Sequence, residues 1–228
     1  MRNHSKALRT SRNRSAGFTV LEIVVGLAIL FVLSTIAVPQ FLAMMHASKL
    51  RGAVSDFASL VQVQRIRAVD DDRYYSSYVL PAGANTPQEA YVDIFPQNNN
   101  GTSGTNGTTI SPNDPLVVVS SEVVRQPAGN APATAALQAQ VLPANSPVAM
   151  QDGGAAGTPV TFGPRGLPCT PTAVVGGTVC DTLGGPTAYW MFFQDNATQN
   201  WGAITVTPAG RIRRWVFDPA ANGGWRSY

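Results

Sequence analysis

Residues 18–38 form a run of 21 positions with one charged side chain, Glu22. As a helix, such a run spans roughly 30 Å, about one hydrocarbon core. A carboxylate inside hydrocarbon costs about 3 kcal/mol, so Glu22 needs a reason to be there. Arg2, Lys6, Arg9, Arg12 and Arg14 precede the run, and no acidic residue lies among the first 17. Positive charge of this kind stays on the cytoplasmic side, which predicts that everything after Val38 lies on the far side of the membrane. Two bland readings fit poorly. A secretory signal has a shorter apolar region ending at a small-x-small site; Thr35-Ile36-Ala37 matches weakly, and Pro39 follows at once. A plain anchor leaves Glu22 unexplained.

A third reading accounts for all of these features. The segment Ala16-Gly17-Phe18-Thr19-Val20-Leu21-Glu22, after a basic leader and before the apolar run, resembles the N-terminus of type IV pilins and pseudopilins. The resemblance implies that prepilin peptidase cuts between Gly17 and Phe18 and methylates Phe18. Glu22 then falls at the fifth mature position, and Pro39 where many members carry a helix-softening proline. The new amine of Phe18 and the carboxylate of Glu22 would be buried when subunits stack. A buried pair of opposite charges is tolerable where a single one is not. The implied partners are other pilins or pseudopilins, prepilin peptidase and the cytoplasmic membrane.

The expected division is a leader over 1–17, a transmembrane and assembly helix over 18–38, an amphipathic continuation over 39–68 and a β-rich periplasmic domain over 69–228. The continuation is read from Leu50, Val54, Phe57 and Val61, which recur at helical spacing among Lys49, Arg51, Asp56, Gln62 and Arg65. Asp70-Asp71-Asp72 reads as a solvated turn ending the helix. No spaced oxygen ligands of a calcium loop follow it. His46 reads as a surface residue.

Strands are expected at 74–80, 91–95, 116–124, 160–162, 189–194, 203–207 and 212–217. Loops rich in Asn, Gly and Thr (98–115) or Ala, Pro and Gly (126–159) separate them. The fold class is therefore α+β, a long N-terminal helix packed on antiparallel sheets, as in the pilin fold. Three Asn-x-Thr triplets, at Asn100, Asn106 and Asn196, read as chance. Cys169 and Cys180 sit in a Pro/Gly-rich loop; in an exported domain they are expected to form a disulfide. The two histidines are His4 and His46. With no nucleophile elbow, phosphate loop or metal-ligand spacing, the expectation is a protein without enzymatic activity, metal or cofactor.

The chain carries 16 basic and 13 acidic residues. Without the leader, 11 basic residues face 13 acidic ones, so the remainder is slightly acidic. The last 19 residues nonetheless hold Arg211, Arg213, Arg214 and Arg226 against Asp218 alone. Within the pilin-like proteins, Val160-Thr-Phe-Gly-Pro-Arg-Gly166 and Ala203-Ile-Thr-Val-Thr-Pro-Ala-Gly-Arg-Ile-Arg213 resemble the strand-and-turn and the last hairpin of the GspH/FimT-like minor pseudopilins. Gly210-Arg211-Ile212-Arg213 is similar to the Gly-Arg-x-Arg of FimT-like proteins of DNA-uptake pili. That resemblance implies a minor pilin of a type IV pilus, in the inner membrane before assembly. It also implies non-sequence-specific DNA contact through Arg211, Arg213, Arg214 and Arg226, with Trp225 and Tyr228 offering a stacking surface. Alternation on a strand puts Arg211 and Arg213 on one face. The alternative is a GspH-like minor pseudopilin of a type II secretion system, with the arginines meeting another pilin or keeping an edge soluble.

Overall fold

The computed structural model describes residues 19–80, 88–94, 115–119, 122–155, 158–174, 177–180, 186–220 and 224–228. Helix α1 runs Val20–Asp70 and contains Pro39. The chain divides into two compact units, residues 1–42 and 43–228. In the first, the apolar side chains from Val20 onward are exposed, and α1 is long and apolar enough to cross a membrane. Thr19 caps its start: its hydroxyl accepts from the Glu22 N–H at 3.2 Å. Thr19 and Glu22 therefore stand at the spacing of a capping box, with the acid near the positive end of the helix dipole.

In the second unit the pattern of α1 changes. Leu50, Val54, Phe57, Leu60, Val61 and Ala68 are buried along one stripe, because apolar residues now recur at the helical period. The helix ends one turn of aspartates later than the apolar stripe. Asp72 adopts φ 51°, and the Arg73 N–H reaches back to the Ala68 carbonyl at 3.2 Å, a Schellman-type closure. Asp71 is more than a solvated turn residue, since its carboxylate accepts from the Tyr75 hydroxyl at 2.6 Å.

Two sheets face the helix. The first comprises β1 (Tyr75–Leu80), β2 (Gln88–Ile94), β3 (Leu116–Val119), β6 (Val160–Phe162) and β7 (Pro168–Cys169), in the order β3-β2-β1-β6-β7. The second comprises β4 (Val123–Gln126), β10 (Ala188–Asp195), β11 (Trp201–Val206), β12 (Ile212–Phe217) and β13 (Trp225–Ser227), in the order β13-β12-β11-β10-β4. Their neighbours pair antiparallel, while β5 (Met150–Asp152) joins β10 in parallel. The fold is α+β, as expected. Strand β8 (Pro171–Val174) and β9 (Gly177–Cys180) make a separate hairpin. Expected residue Phe95 and the loop from 98 to 114 lie outside the described residues. The expected strand over 116–124 is instead two strands, β3 and β4, in different sheets.

Strand β10 is buried on both faces. Tyr189, Met191 and Phe193 join α1 and the first sheet in the main core, with Ile204 and Val206 of β11. Phe192 turns the other way, onto Ala203, Trp215, Trp225 and Leu137. Leu137 belongs to a short helix, α2 (Thr134–Val141), which covers that outer face and was not expected from the Ala-rich sequence around it. The helix α1 approaches β11 closely at Gly202, where an added Cβ would come within 2.7 Å of Val54 Cγ2. Gln64, fully buried, ties α1 to both flanking strands of the first sheet by donating to the carbonyls of Tyr75 and Val160, each at 2.6 Å.

Candidate functional site

The two expected functional regions are the N-terminal signal and the C-terminal arginines. Gly17 and Phe18 lie outside the described residues. Glu22 is described, exposed in the first turn of α1.

The C-terminal region is built around β12. Ile212 packs toward the main core and Trp215 lies in the outer one, so the two face opposite ways. Arg213 therefore projects from the Trp215 side and Arg214 from the side of α1, while Arg211 stands just before the strand. Strand β13 pairs with β12 only from Trp215 to Phe217, leaving Ile212 to Arg214 at the sheet edge. Beside that edge a groove of about 620 Å³ opens, lined by Ser55, Ser59 and Gln62 of α1 and by Arg211, Arg213 and Arg214. Among the described residues, neither Arg211 nor Arg213 has an ion-pair partner.

The other two arginines behave differently. Arg214 donates to Ser55 Oγ at 2.8 Å, and its guanidinium sits 5.2 Å from the centre of the Tyr228 ring. Burial pushes the Tyr228 phenol up, against the opposing pull of Arg214 and Arg51, so the ring stays neutral beneath that cation. Arg226 pairs with Asp218 at 3.3 Å and lines a separate concavity with Arg51 and Leu50. Arg226 thus does not join the same surface as Arg211 and Arg213. Trp225 is 2% exposed and donates its indole N–H to the Pro132 carbonyl at 3.0 Å. It is an outer-core residue, which removes it from the expected stacking surface.

Two glycine turns meet just before Arg211. Gly166 and Gly210 both have positive φ, 68° and 76°, a conformation that costs glycine little. An added Cβ on Gly210 would come within 2.7 Å of the Gly166 carbonyl oxygen. Arg65 of α1 joins both turns: Nε donates to Gly166 O and Nη1 to Gly210 O, each at 3.0 Å. Sequence reading placed Arg65 among solvated helix residues. Its role is invisible until residues 166 and 210 come together.

A second cluster lies elsewhere in this unit. His46 is half-buried rather than on the surface, because its Nδ1 sits 3.2 Å from Oδ2 of the wholly buried Asp195. Glu122 lies 3.8 Å from the same nitrogen and accepts from Lys49 Nζ at 2.6 Å. Burial alone would raise the Asp195 pKa, but hydrogen bonds from the Thr198 backbone and hydroxyl and the contact with His46 outweigh it and hold the carboxyl below its ordinary value. Cys169, at the end of β7, is disulfide-bonded; the side chain of Cys180 lies outside the described residues.

Residues 12–38 match the prokaryotic N-terminal methylation motif. Two curated relatives share the name type II secretion system core protein G. One, from Pectobacterium carotovorum subsp. carotovorum, is 33% identical over 100 residues, covering 39% of this chain and 64% of that protein. The other, from Dickeya chrysanthemi, is 30% identical over 95 residues, covering 37% and 62%. The chain thus spans less than two thirds of the length of the relatives it matches. A crystal structure of the Pseudomonas aeruginosa type IV minor pilin FimU overlays 74% of this chain and 90% of that one, at TM-score 0.41 and 13% identity; no conclusion rests on so low a likeness. The methylation motif thus stands at the head of a long apolar helix, with antiparallel sheets behind it, and the chain is similar in sequence to type II secretion system core protein G over part of its length.

Proposed function

We propose that the chain is a non-enzymatic minor subunit of a pilus-like filament, assembled from the inner membrane through α1. The observation that carries this reading is the methylation motif over residues 12–38, which ends in an exposed apolar stretch of α1 whose one charged residue is Glu22. In this reading the leader over 1–17 is removed after Gly17, Phe18 is methylated, and residues 18–38 span the membrane. Glu22 pairs with the Phe18 amine of a neighbour, and the domain from 69 onward faces the periplasm, where Cys169 pairs with Cys180. The names of the relatives support a type II secretion pseudopilus as the setting. Mass spectrometry of membrane-extracted protein tests the reading: the mature chain starts at methylated Phe18, whereas a start at Val38 would make the segment a secretory signal and overturn it.

The second reading, DNA contact in a type IV pilus, is supported by Arg211 and Arg213 lining one open groove. Contact with phosphates alone gives weak binding without sequence preference. Two to four contacts give a slope of log affinity against log salt of roughly −2 to −4. Arg211→Gln with Arg213→Gln should lower that slope by about two. Binding that is insensitive to salt or to these changes leaves the secretion setting alone.

A further inference from the structure

Away from the arginine groove, three metal-ligating side chains from three chain segments converge. His46 projects from α1, Glu122 immediately precedes β4, and Asp195 ends β10. One donor atom from each lies within 4.8 Å of the other two. We propose that His46 Nδ1, Asp195 Oδ2 and a Glu122 carboxylate oxygen form a binding site for a divalent transition-metal ion of the zinc class, with water completing its coordination.

The spacing suits such an ion. Bonds of about 2.0–2.2 Å in tetrahedral geometry place ligands roughly 3.4 Å apart. The separations from His46 Nδ1, 3.2 Å to Asp195 and 3.8 Å to Glu122, fall on either side of that value. The chemistry of the donors also selects. An imidazole with two carboxylates suits zinc and its neighbours, while calcium and magnesium prefer oxygen alone and, for calcium, more ligands.

The carboxylate best placed to act as a ligand is already oriented. Asp195 Oδ1 accepts from the N–H groups of Ala197 and Thr198 and from the Thr198 hydroxyl, at 3.0, 2.8 and 2.9 Å. Its free rotation is gone, and Oδ2 is left facing His46. Outer bonds of this kind fix a metal ligand. The Asn196 N–H also donates to the Glu122 carbonyl at 2.8 Å, so the turns carrying the two acids are tied together.

Two carboxylates and the Lys49 ammonium leave the cluster negative before the imidazole is counted, which favours a dication. Lys49 is the ion's competitor, because it already holds Glu122 at 2.6 Å. It is half-exposed and can swing into solvent. Binding needs the lone pair of His46 Nδ1, so the proton there moves to Nε2 or is released. The same geometry could serve as a metal-free strap, with a protonated imidazole held between two acids, and the test separates the two.

Zn²⁺ is titrated into the full-length chain in detergent micelles near neutral pH, with Ca²⁺ as the comparison ion. One Zn²⁺ should bind per chain, at least about a hundredfold more tightly than Ca²⁺. His46→Gln keeps a hydrogen-bond donor beside Asp195, preserves the strap's contact and should weaken Zn²⁺ binding at least tenfold. Lys49→Ala removes the resident cation and should tighten it severalfold. No uptake of Zn²⁺, equal uptake by His46→Gln, looser binding by Lys49→Ala, or preference for Ca²⁺ would each overturn the assignment.

Discussion

The two stretches of α1 both carry apolar side chains and use them in opposite ways. From Val20 to Leu42 every described residue is exposed, Leu30 at 61% and Phe31 at 74%. From Leu50 to Ala68 one apolar stripe is buried to 7% exposure or less, while Val63 and Ile66 stay exposed. Apolar residues on all sides of a helix leave it needing an apolar surrounding, a bilayer or a sheath of like helices. An apolar stripe is satisfied by one's own sheets. The two stretches differ in periodicity as well as in hydrophobicity, the first being apolar all round and the second along one buried stripe.

Four experiments would break or sharpen that contrast. The largest effect is expected at Glu22, in the first stretch. On the proposed pairing of Glu22 with a neighbour's Phe18 amine, Glu22→Ala should leave cleavage intact but reduce recovery in sheared filaments more than about tenfold. Equal incorporation would mean that the exposed stretch assembles by apolar contact alone. Next comes a matched pair of truncations. Phe57 is wholly buried with its ring 5.5 Å from that of Phe193, so Phe57→Ala should destabilise the domain by about 3–5 kcal/mol. Leu30→Ala should shift the same unfolding transition by less than about 0.5 kcal/mol. Comparable losses at the two sites would erase the distinction.

Arg65→Ala leaves two glycine carbonyls without their donor and should cost about 2 kcal/mol, read by thermal or denaturant unfolding. The same change should loosen the position of Arg211. The smallest effect concerns Tyr75, just past the helix. Burial, then the hydrogen bond and charge of Asp71, push its phenol up to about 12 from 10. The folded state therefore holds this proton more tightly than the unfolded chain. Its contribution is fully present below pH 10 and is lost as pH rises from about 10 to 12. Asp71→Asn removes the charge and should flatten the alkaline slope of stability in that window.

Features whose cause is local were visible in the sequence. The apolar run, the stripe from Leu50 to Val61, the helix stop at the aspartates and strands such as β6 and β12 follow from composition and period. The run from 116 to 124 looked like one strand because hydrophobicity does not record that the chain changes sheets at Glu122. Helix α2 was hidden because it has one buried anchor, Leu137, and so no periodic signal. Strands β8 and β9 lie in a Pro/Gly-rich stretch that reads as loop. In the candidate site, the nearness of Arg211, Arg213 and Arg214 to one groove could be read from their closeness in the chain. Burial of Trp225, capture of Arg226 by Asp218 and convergence of His46 with Asp195 depend on partners far away in sequence. A lone histidine on a helix gives no hint of an aspartate 149 positions later.

The bonds of Arg65 to Gly166 and Gly210 close stretches of 101 and 145 residues. Contacts of such long range carry a large loop-closure cost and contribute only once much of the chain is already confined. Arg65 therefore ties the turn just before Arg211 to a turn far away in sequence, and that tie needs the folded domain. A nascent chain carries the same four C-terminal arginines but not their arrangement. The arrangement of arginines around the groove is thus a property of the folded domain and not of the local sequence.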